Sequence, residues 1–373
     1  MKSQTEPQAG SCPVASSQTT EHAGRIRHLK GTPFEIGYAM GRSLGPRLDA
    51  NIARYVRQRV SGGTPFDPAL WRSGALPWLR TLPARFQDEF EGLAQGANLP
   101  LQRLAEWAYL EVLLSGRCSG AIIALADQVW VARNNDSFAP DMWGYVTIRE
   151  VSGRIPAISF GLEGDVFTPT GINQEQLWLH YNYLPAWDAP VADRPHLPCY
   201  ALMVEALETC RTLQDLERLL ARVQRDDGML LFAVEGRTNT YALYECTCTG
   251  FYKLAPARGW LVGTNHYRVH PAAPPLTSSG PLSTTRRYDR MELLLTGLVT
   301  GLVTRLVAQG PQASPVQELI RILADDAIEA RSGPLQTVYS NVACPHTHEI
   351  WYTLGGYPAA SRGNWQPLEW PWR

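Results

Sequence analysis

One cysteine lies where a helical sequence pattern gives way to a strand pattern, and two charged residues follow it. Cys118 opens an apolar, β-branched run, and Arg133 and Asp136 end the next such run after a turn at Asp127-Gln128. Short apolar runs bounded by polar residues are typical of strands. Two strands around a tight turn would bring the thiol near a guanidinium and a carboxylate, which suits a nucleophilic cysteine. The alternative interpretation is a small buried core thiol, which is what most free cysteines are.

Composition sets the limits within which this chemistry would operate. The chain has 373 residues, a hydrophobic content of 45% and a formal net charge of −1. That length provides for one large domain or two ordinary ones. A charge near zero gives no sign of a nucleic-acid or membrane partner, and no apolar run reaches the roughly 18 residues of a membrane span.

The N-terminal segment and the cysteines indicate the compartment. Residues 1–24 are rich in Ser, Thr, Gln and Glu, which predicts disorder, and they lack the apolar core of a secretory signal. Seven scattered cysteines do not resemble a disulfide framework. We therefore expect a cytoplasmic protein.

The region before Cys118 is predicted to be mostly helical, after a short strand at 26–31. Its first helix opens at Pro33, and further helical patterns run through 86–93 and 101–114. Two sets of residues recur every fourth position from Pro33 onward, one apolar and one of glycines that would let another element pack closely: Ile36, Met40, Leu44 and Leu48, and Gly37, Gly41 and Gly45.

The predicted strands and helices after Cys118 are grouped into clusters. Because single strands and helices do not strictly alternate, the pattern predicts a layered α+β fold with largely antiparallel sheets. The predicted strands are 143–151, 156–161, 176–183, 229–234, 240–244, 251–254, 259–262, 336–342 and 349–354; the helices are 201–207, 213–223, 288–298 and 315–327; a Pro- and Ser-rich loop covers 271–282.

Further polar motifs follow in a fixed order along this region. They are the run Leu179-His180-Tyr181-Asn182, the run Thr264-Asn265-His266, and the run Ser283-Thr284-Thr285-Arg286-Arg287. Together with Cys118 and the Arg133-Asn134-Asn135-Asp136 run, this order resembles the acyl-coenzyme A:6-aminopenicillanate acyltransferase-like family. That family is peptidase family C45 within the N-terminal-nucleophile (Ntn) hydrolases, and it is distantly related to penicillin V acylases and bile salt hydrolases. The resemblance extends from about Ile26 to about Pro358.

The resemblance implies a four-layer αββα sandwich that is made as a precursor. The precursor would cut itself at Arg117–Cys118, giving a mostly helical fragment 25–117 behind the tail and a catalytic fragment 118–373, packed as one domain. The freed α-amino group of Cys118 would then act as the base for its own thiol, because the two groups titrate near pH 8 and 8.5.

The resemblance also implies a role for each site residue. Asp136 would hold the α-amino group, and Arg133 would lie beside the nucleophile. Asn182 and Asn265 would be the oxyanion-side amides, and Arg287 would complete the site.

Two positions depart from the family pattern or leave a choice open. Arg117 stands where the family usually has Gly, which bears on how efficiently the bond before Cys118 is cut. Arg286 is the alternative to Arg287, although the Arg-Tyr-x-Arg register favours Arg287.

Other chemistries compete with this interpretation. The runs Cys344-Pro345-His346-Thr347-His348 and Cys246-Thr247-Cys248 contain metal-ligating residue types, but their spacing does not match common zinc sites. Cys118 and His266 could form a papain-like pair, although the flanking motif of that class is missing. We predict neither a metal nor a cofactor.

The sequence therefore predicts an autoproteolytic N-terminal cysteine enzyme acting on a linear, non-peptide amide. A thioester on Cys118 would be resolved by water in an amidohydrolase or by an amine in an acyltransferase. The expected partner is a small amide or acyl donor, with acyl-coenzyme A as one option, and not a nucleic acid or a membrane. The alternative is an uncleaved, non-catalytic member that binds an acylated small molecule.

Overall fold

A computed structural model describes residues 25–61, 67–113, 116–192, 194–256, 258–271, 283–309 and 315–372, with the backbone alone for 302–309. Ten α-helices are present in these ranges: α1 Pro33–Leu44, α2 Pro46–Ser61, α3 Pro68–Leu79, α4 Ala84–Ala97, α5 Leu101–Leu113, α6 Cys199–Thr209, α7 Leu213–Arg222, α8 Thr284–Gln309, α9 Val316–Leu323 and α10 Ala359–Arg362. The predicted tail 1–24 and loop residues 272–282 lie outside the described residues.

Sixteen strands accompany these helices in the same ranges. They are β1 Ile26–Gly31, β2 Arg117–Leu125, β3 Gln128–Ser137, β4 Tyr145–Val151, β5 Ala157–Gly161, β6 Thr170–Asn173, β7 Leu177–Leu184, β8 His196–Leu197, β9 Gln224–Arg225, β10 Gly228–Glu235, β11 Thr240–Cys246, β12 Phe251–Leu254, β13 Trp260–Gly263, β14 Gln336–Cys344, β15 Glu349–Leu354 and β16 Asn364–Pro367.

Two large sheets carry the fold. The first has the order β1-β4-β5-β6-β7-β10-β11-β12 and the second the order β13-β2-β3-β14-β15-β16. Every pair is antiparallel except β1 with β4. The prediction of largely antiparallel sheets is confirmed.

The sheets pack face to face, with helices on their outer faces. A Cβ added to Gly120 of β2 would lie 2.6 Å from His180 Nε2 of β7 and 3.1 Å from the Phe232 ring of β10. Helix α6 packs on β6 and β7, while α8 and α9 pack on the strands of the second sheet. The order helix, sheet, sheet, helix is the αββα sandwich, so the predicted fold class is confirmed.

The early glycine pattern has the predicted purpose at two of its three positions. A Cβ on Gly37 or Gly41 would lie 2.0 Å from Glu89 O or 2.4 Å from Leu93 O, so only glycine lets α1 pack backbone to backbone on α4. Gly45 instead ends α1 with φ +51°, a conformation that favours glycine. The prediction of one continuous face was wrong at Leu48, which lies on α2.

Other differences from the predicted elements are small. The hairpin turn falls at Ala126-Asp127 rather than one residue later, and α9 ends at Leu323 rather than at 327. Helices α2, α3 and α10 and strands β6, β8, β9 and β16 were not predicted. Among the described residues, no helix combines the length and apolarity that crossing a bilayer requires.

A buried ion cluster joins the helices before Cys118 to the first sheet. Arg149 of β4 donates to both carboxylate oxygens of Glu89 on α4, each at 2.7 Å, and lies 3.4 Å from Glu208 on α6. Arg85 of α4 lies 2.6 Å from Glu208. The two positive and two negative charges balance, and their contacts join the part of the chain before Cys118 to the part after it.

Candidate active site

The β2–β3 hairpin determines what surrounds the candidate nucleophile. Cys118 is the second residue of β2 and pairs with Asn135, while Arg117 pairs with Asp136 and Gly120 with Arg133. Directly opposite residues of an antiparallel pair point to the same face. Cys118, Arg133 and Asn135 therefore share the face towards the first sheet, and Asp136 points to the other face.

Arg133 is the cation beside the thiol. Its Nη2 lies 3.5 Å from Cys118 Sγ and donates to Asn135 Oδ1 at 2.9 Å and to Tyr181 O at 2.6 Å. Its Nη1 donates to the Tyr339 hydroxyl at 2.8 Å. Because these acceptors hold the planar guanidinium on both sides, its charge is fixed next to sulfur.

Asn265 follows β13 and contacts the backbone of the candidate nucleophile. Its Oδ1 accepts from the Cys118 backbone N–H at 3.0 Å and from Arg287 Nη2 at 2.8 Å. Its Nδ2 donates to Tyr183 O at 2.8 Å. These partners fix the amide orientation, so the oxygen faces Cys118.

Arg287 closes the other side of the same peptide. Its Nη1 donates to Cys118 O and, at 2.9 Å, to Ser119 Oγ. The side chain is buried, whereas the neighbouring Arg286 is exposed. Of the two candidate arginines, the structure therefore places Arg287 against Cys118.

Asp136 does not contact the Cys118 backbone nitrogen in the intact chain. Its Oδ1 accepts from Thr337 Oγ1 at 2.7 Å, and its buried Oδ2 has no hydrogen-bond partner. Burial raises the pKa of Asp136 to about 6, opposed chiefly by the positive charge of Arg287. Asp136 thus lies behind the site, on the face of β3 opposite to Arg133, where the charge of Arg287 on α8 acts on it.

Asn182 lies between the sheets and binds the backbone that leads to Asn265. Its Nδ2 donates to Gly263 O and Thr264 O, both at 3.2 Å, and its Oδ1 has no hydrogen-bond partner. Asn182 therefore fixes the end of β13, and its described hydrogen bonds do not include Cys118.

The intact chain keeps the thiol covered and protonated. Cys118 is 4% exposed. Burial raises the pKa of its thiol, while the charge of Arg133 opposes the shift. If Cys118 became exposed to solvent, the effect of burial on the thiol pKa would weaken. The charge of Arg133, which favours the thiolate, would remain.

His266 is occupied elsewhere in the site. Its Nδ1 forms a 2.7 Å hydrogen bond with Thr284 Oγ1 and a 3.2 Å one with Thr264 Oγ1. Burial, and next Arg268, lower the pKa of His266 to about 4. A neutral imidazole held by two hydroxyls gives no support to the papain-like alternative.

Several residues that sequence reasoning missed hold these groups in place. Asn135 accepts from Arg133, and Tyr339 bridges Arg133 to Thr170 Oγ1. Glu245, which is fully buried, accepts from the backbone N–H groups of Arg268, Val269 and His270. It thereby anchors the segment that follows Asn265. Asn135 could have been found from β alternation, because it lies two residues after Arg133.

The two metal-like runs are used structurally. His346 Nδ1 bonds Gly236 O at 2.8 Å, and His348 stacks on Trp370 with ring centroids 4.1 Å apart. Cys246 and Cys344 are buried. Within the described ranges, no group of three or more His, Cys, Asp or Glu residues is arranged to hold a metal ion.

Comparison with known proteins gives weak similarities. No family model matches the chain. Among solved structures, the penicillin V acylase from Agrobacterium tumefaciens is 12% identical, with a TM-score of 0.47 over 67% of this chain and 86% of its own.

Two further solved structures are similar at the same level. A mutant of the conjugated bile acid hydrolase from Clostridium perfringens is 12% identical, with a TM-score of 0.45 over 67% of this chain and 92% of its own. A Caenorhabditis elegans ortholog of N-acylethanolamine-hydrolyzing acid amidase is 13% identical, with a TM-score of 0.44 over 61% and 93%. Similarity at this level does not assign a chemistry to this chain.

Proposed function

We propose that this chain is a self-processing N-terminal cysteine enzyme that cleaves or forms a linear, non-peptide amide through a thioester on Cys118. The observation that carries the proposal is the set of contacts around one residue. Arg133 lies beside the thiol of Cys118, Asn265 accepts from its backbone N–H, and Arg287 donates to its carbonyl oxygen. Sulfur, nitrogen and carbonyl are thus all held by polar side chains that a core cysteine does not need.

Processing follows from this arrangement as a balanced reaction. The Cys118 sulfur attacks the carbonyl carbon of Arg117, the C–S bond forms, the C–N bond breaks, and the thiol proton passes to the nitrogen. Water then hydrolyses the thioester, which releases the carboxyl group of Arg117 and restores the thiol. The former backbone nitrogen becomes the α-amino group of Cys118.

The same contacts suit the processed site for amide chemistry. The α-amino group takes the thiol proton, sulfur attacks the substrate carbonyl, and the amino group returns the proton to the departing amine. Water then gives a hydrolase and an amine gives an acyltransferase. The charges of Arg287 and Arg133 favour a neutral amine and a thiolate.

The remaining candidates receive roles from their contacts. The free Oδ2 of Asp136 is proposed to accept from the α-amino group once the chain is cut. The second hydrogen of Asn265 Nδ2 is proposed to donate to the oxyanion, an interaction whose loss typically costs 10²–10³ in kcat. Asn182 supports Asn265 through the end of β13.

A panel of linear amides tests the proposal, with free amine or carboxylate release as the readout. Wild-type protein is expected to turn over at least one member, and Cys118→Ala none. Cys344→Ala is the matched control and should retain activity. It also removes a buried thiol, but one on the outer face of the second sheet, away from Cys118. Activity that survives in Cys118→Ala would overturn the proposal in favour of another nucleophile, and a wild-type protein that stays uncut and turns over no amide would overturn it in favour of an uncleaved binding protein.

A further inference from the structure

A small cavity where strand β7 meets helix α6 combines carboxylates with tyrosine rings. It has a volume of about 10 Å³, and its lining includes Glu111, Tyr181, Tyr183, Tyr200, Asp226 and Asp227. A volume of this size holds about one water-sized group. A primary ammonium group is of that size, whereas a trimethylammonium group is not.

Two tyrosines that line the cavity also bind, through their backbone carbonyls, the side chains that contact Cys118. Tyr181 O accepts from Arg133 Nη2, which lies 3.5 Å from Cys118 Sγ. Tyr183 O accepts from Asn265 Nδ2. The tyrosines that line the cavity are therefore the residues on which the two neighbours of Cys118 are anchored.

The carboxylates leave the cavity electrostatically unbalanced. Glu111 is 3% exposed, and its Oε1 has no hydrogen-bond partner; the Arg59 guanidinium lies 4.0 Å away. Asp226 accepts from Cys199 N, and Asp227 accepts from Ala186 N and Gly228 N, so their partners are uncharged. Among these contacts, Glu111 is paired with one cation, Arg59, and the two aspartates are paired with none.

Burial makes the charged form of these acids costly, and a bound cation would offset that cost. Desolvation raises the pKa of Asp226 to about 6, and the neighbouring charge of Asp227 adds to the shift. Tyr181 and Tyr200 meet edge to face, with ring centroids 5.1 Å apart. Carboxylates next to aromatic faces form the usual protein environment for an organic cation.

We propose that this cavity binds a primary ammonium group, so that the substrate is a linear amide carrying a protonated amine close to its scissile carbonyl. The inference rests on the proposed function in taking Cys118 as the reacting group. It adds the substrate class, which the catalytic residues do not determine. The ammonium belongs either to the acyl part or to the departing amine part of the amide.

Charge-selective thiol labelling tests the inference on the full chain without needing the substrate. Methanethiosulfonates with the same two-carbon linker carry an aminoethyl, hydroxyethyl, sulfonatoethyl or bulkier trimethylammonium-ethyl group. Each transfers its thioalkyl group to the thiolate as a disulfide and releases methanesulfinate. Labelling rates at Cys118 are measured by peptide mass mapping, which distinguishes Cys118 from Cys199, a thiol that lines the cavity. Each rate is divided by the rate of the same reagent with a simple thiol.

The expected order is specific to a small cation site. Aminoethyl reagent should modify Cys118 at least about tenfold faster than hydroxyethyl reagent, sulfonatoethyl should be slowest, and trimethylammonium-ethyl should show no advantage. Asp226→Asn with Asp227→Asn should remove the preference, because the amide oxygens retain the backbone hydrogen bonds without the charge. Asp326→Asn, at a carboxyl that is 83% exposed, should leave it unchanged.

Other results overturn the inference. The inference fails if the aminoethyl and hydroxyethyl reagents react at equal normalised rates or if no reagent reaches Cys118. It also fails if the preference survives the loss of both aspartates. Because the wild-type comparison is decisive alone, a misfolded variant does not rescue the inference. Matched amides with the ammonium on the acyl or the amine part identify which part enters the cavity.

The two proposals fail in different ways. Cys118-dependent turnover of neutral amides with no cation preference overturns the ammonium site alone. A cation preference in labelling, combined with amide turnover that survives Cys118→Ala, overturns the proposed function alone.

Discussion

Replacing Arg149 should weaken the intact chain far more than replacing an exposed cation of the same sheet edge. Arg149 donates to both oxygens of Glu89 at 2.7 Å, and its side chain is 3% exposed. Arg149→Met changes the cluster of Arg85, Arg149, Glu89 and Glu208 from a net charge of zero to −1. Breaking a buried pair by removing one partner typically costs about 3–5 kcal/mol, and we expect about 3 kcal/mol because Arg85 still neutralises part of the charge.

A matched control separates this effect from the general cost of losing a cation. Lys30 of β1 lies 3.0 Å from Glu150 of β4, and its side chain is 81% exposed. Lys30→Met should change the free energy of unfolding by no more than about 1 kcal/mol, because exposed ion pairs contribute little. Both changes are made in a Cys118→Ala background, which the proposed mechanism keeps uncut, and urea unfolding is followed by fluorescence and circular dichroism.

The same cluster joins the parts of the chain that lie on either side of the proposed cut. Arg85 and Glu89 precede Cys118, whereas Arg149 and Glu208 follow it. We therefore propose that fragments 1–117 and 118–373 remain together and that Arg149→Met promotes their separation on size-exclusion chromatography. A loss below 1 kcal/mol for Arg149→Met, or a loss equal to that of Lys30→Met, would refute this reasoning.

Further substitutions test the positioning and the titration of the site. Glu245→Gln should lower kcat about tenfold with little change in KM, because a neutral amide holds the segment after Asn265 less firmly. A change in KM alone contradicts the positioning role. His266→Ala should leave the iodoacetamide labelling rate of Cys118 within about threefold, and its abolition would identify the imidazole as the base. Burial raises the Asp136 pKa from 3.8 to about 6, so stability should fall as pH rises from about 4 to 6, by about 3 kcal/mol at 1.36 kcal/mol per pKa unit. In the Cys118→Ala background, Asp136→Asn should remove that part of the pH dependence of urea unfolding.

Periodicity predicted the fold where one face of an element is buried. The helix at 86–93 and the strand at 349–354 repeat apolar residues at the expected spacing, and the structure places buried faces there. Helix α2 was missed although its buried residues Leu48, Ile52 and Tyr55 recur at helical spacing, and α3 was missed because Pro77 lies inside it. Propensity alone cannot show that such helices are stabilised by packing on their neighbours.

The candidate site was predictable in its members but not in its geometry. Arg133 and Asp136 are three residues apart on one strand, so β alternation places them on opposite faces, and only Arg133 can share the face of Cys118. The sequence could not show that Asn265 Oδ1, rather than Asp136, accepts from the Cys118 N–H. That contact depends on how β13 pairs with β2, which no local pattern encodes.

The most direct test of the central claim is the N-terminal sequence and intact mass of the purified protein. The account predicts two chains, the larger beginning at Cys118, and a single uncut chain for Cys118→Ala. Arg117→Gly should be cut at least as fast as the wild type, because the thiol and its contacts remain. A wild-type chain that stays whole at Arg117–Cys118 and still turns over amides would contradict the account, since Cys118 would then have no α-amino group to act as its base.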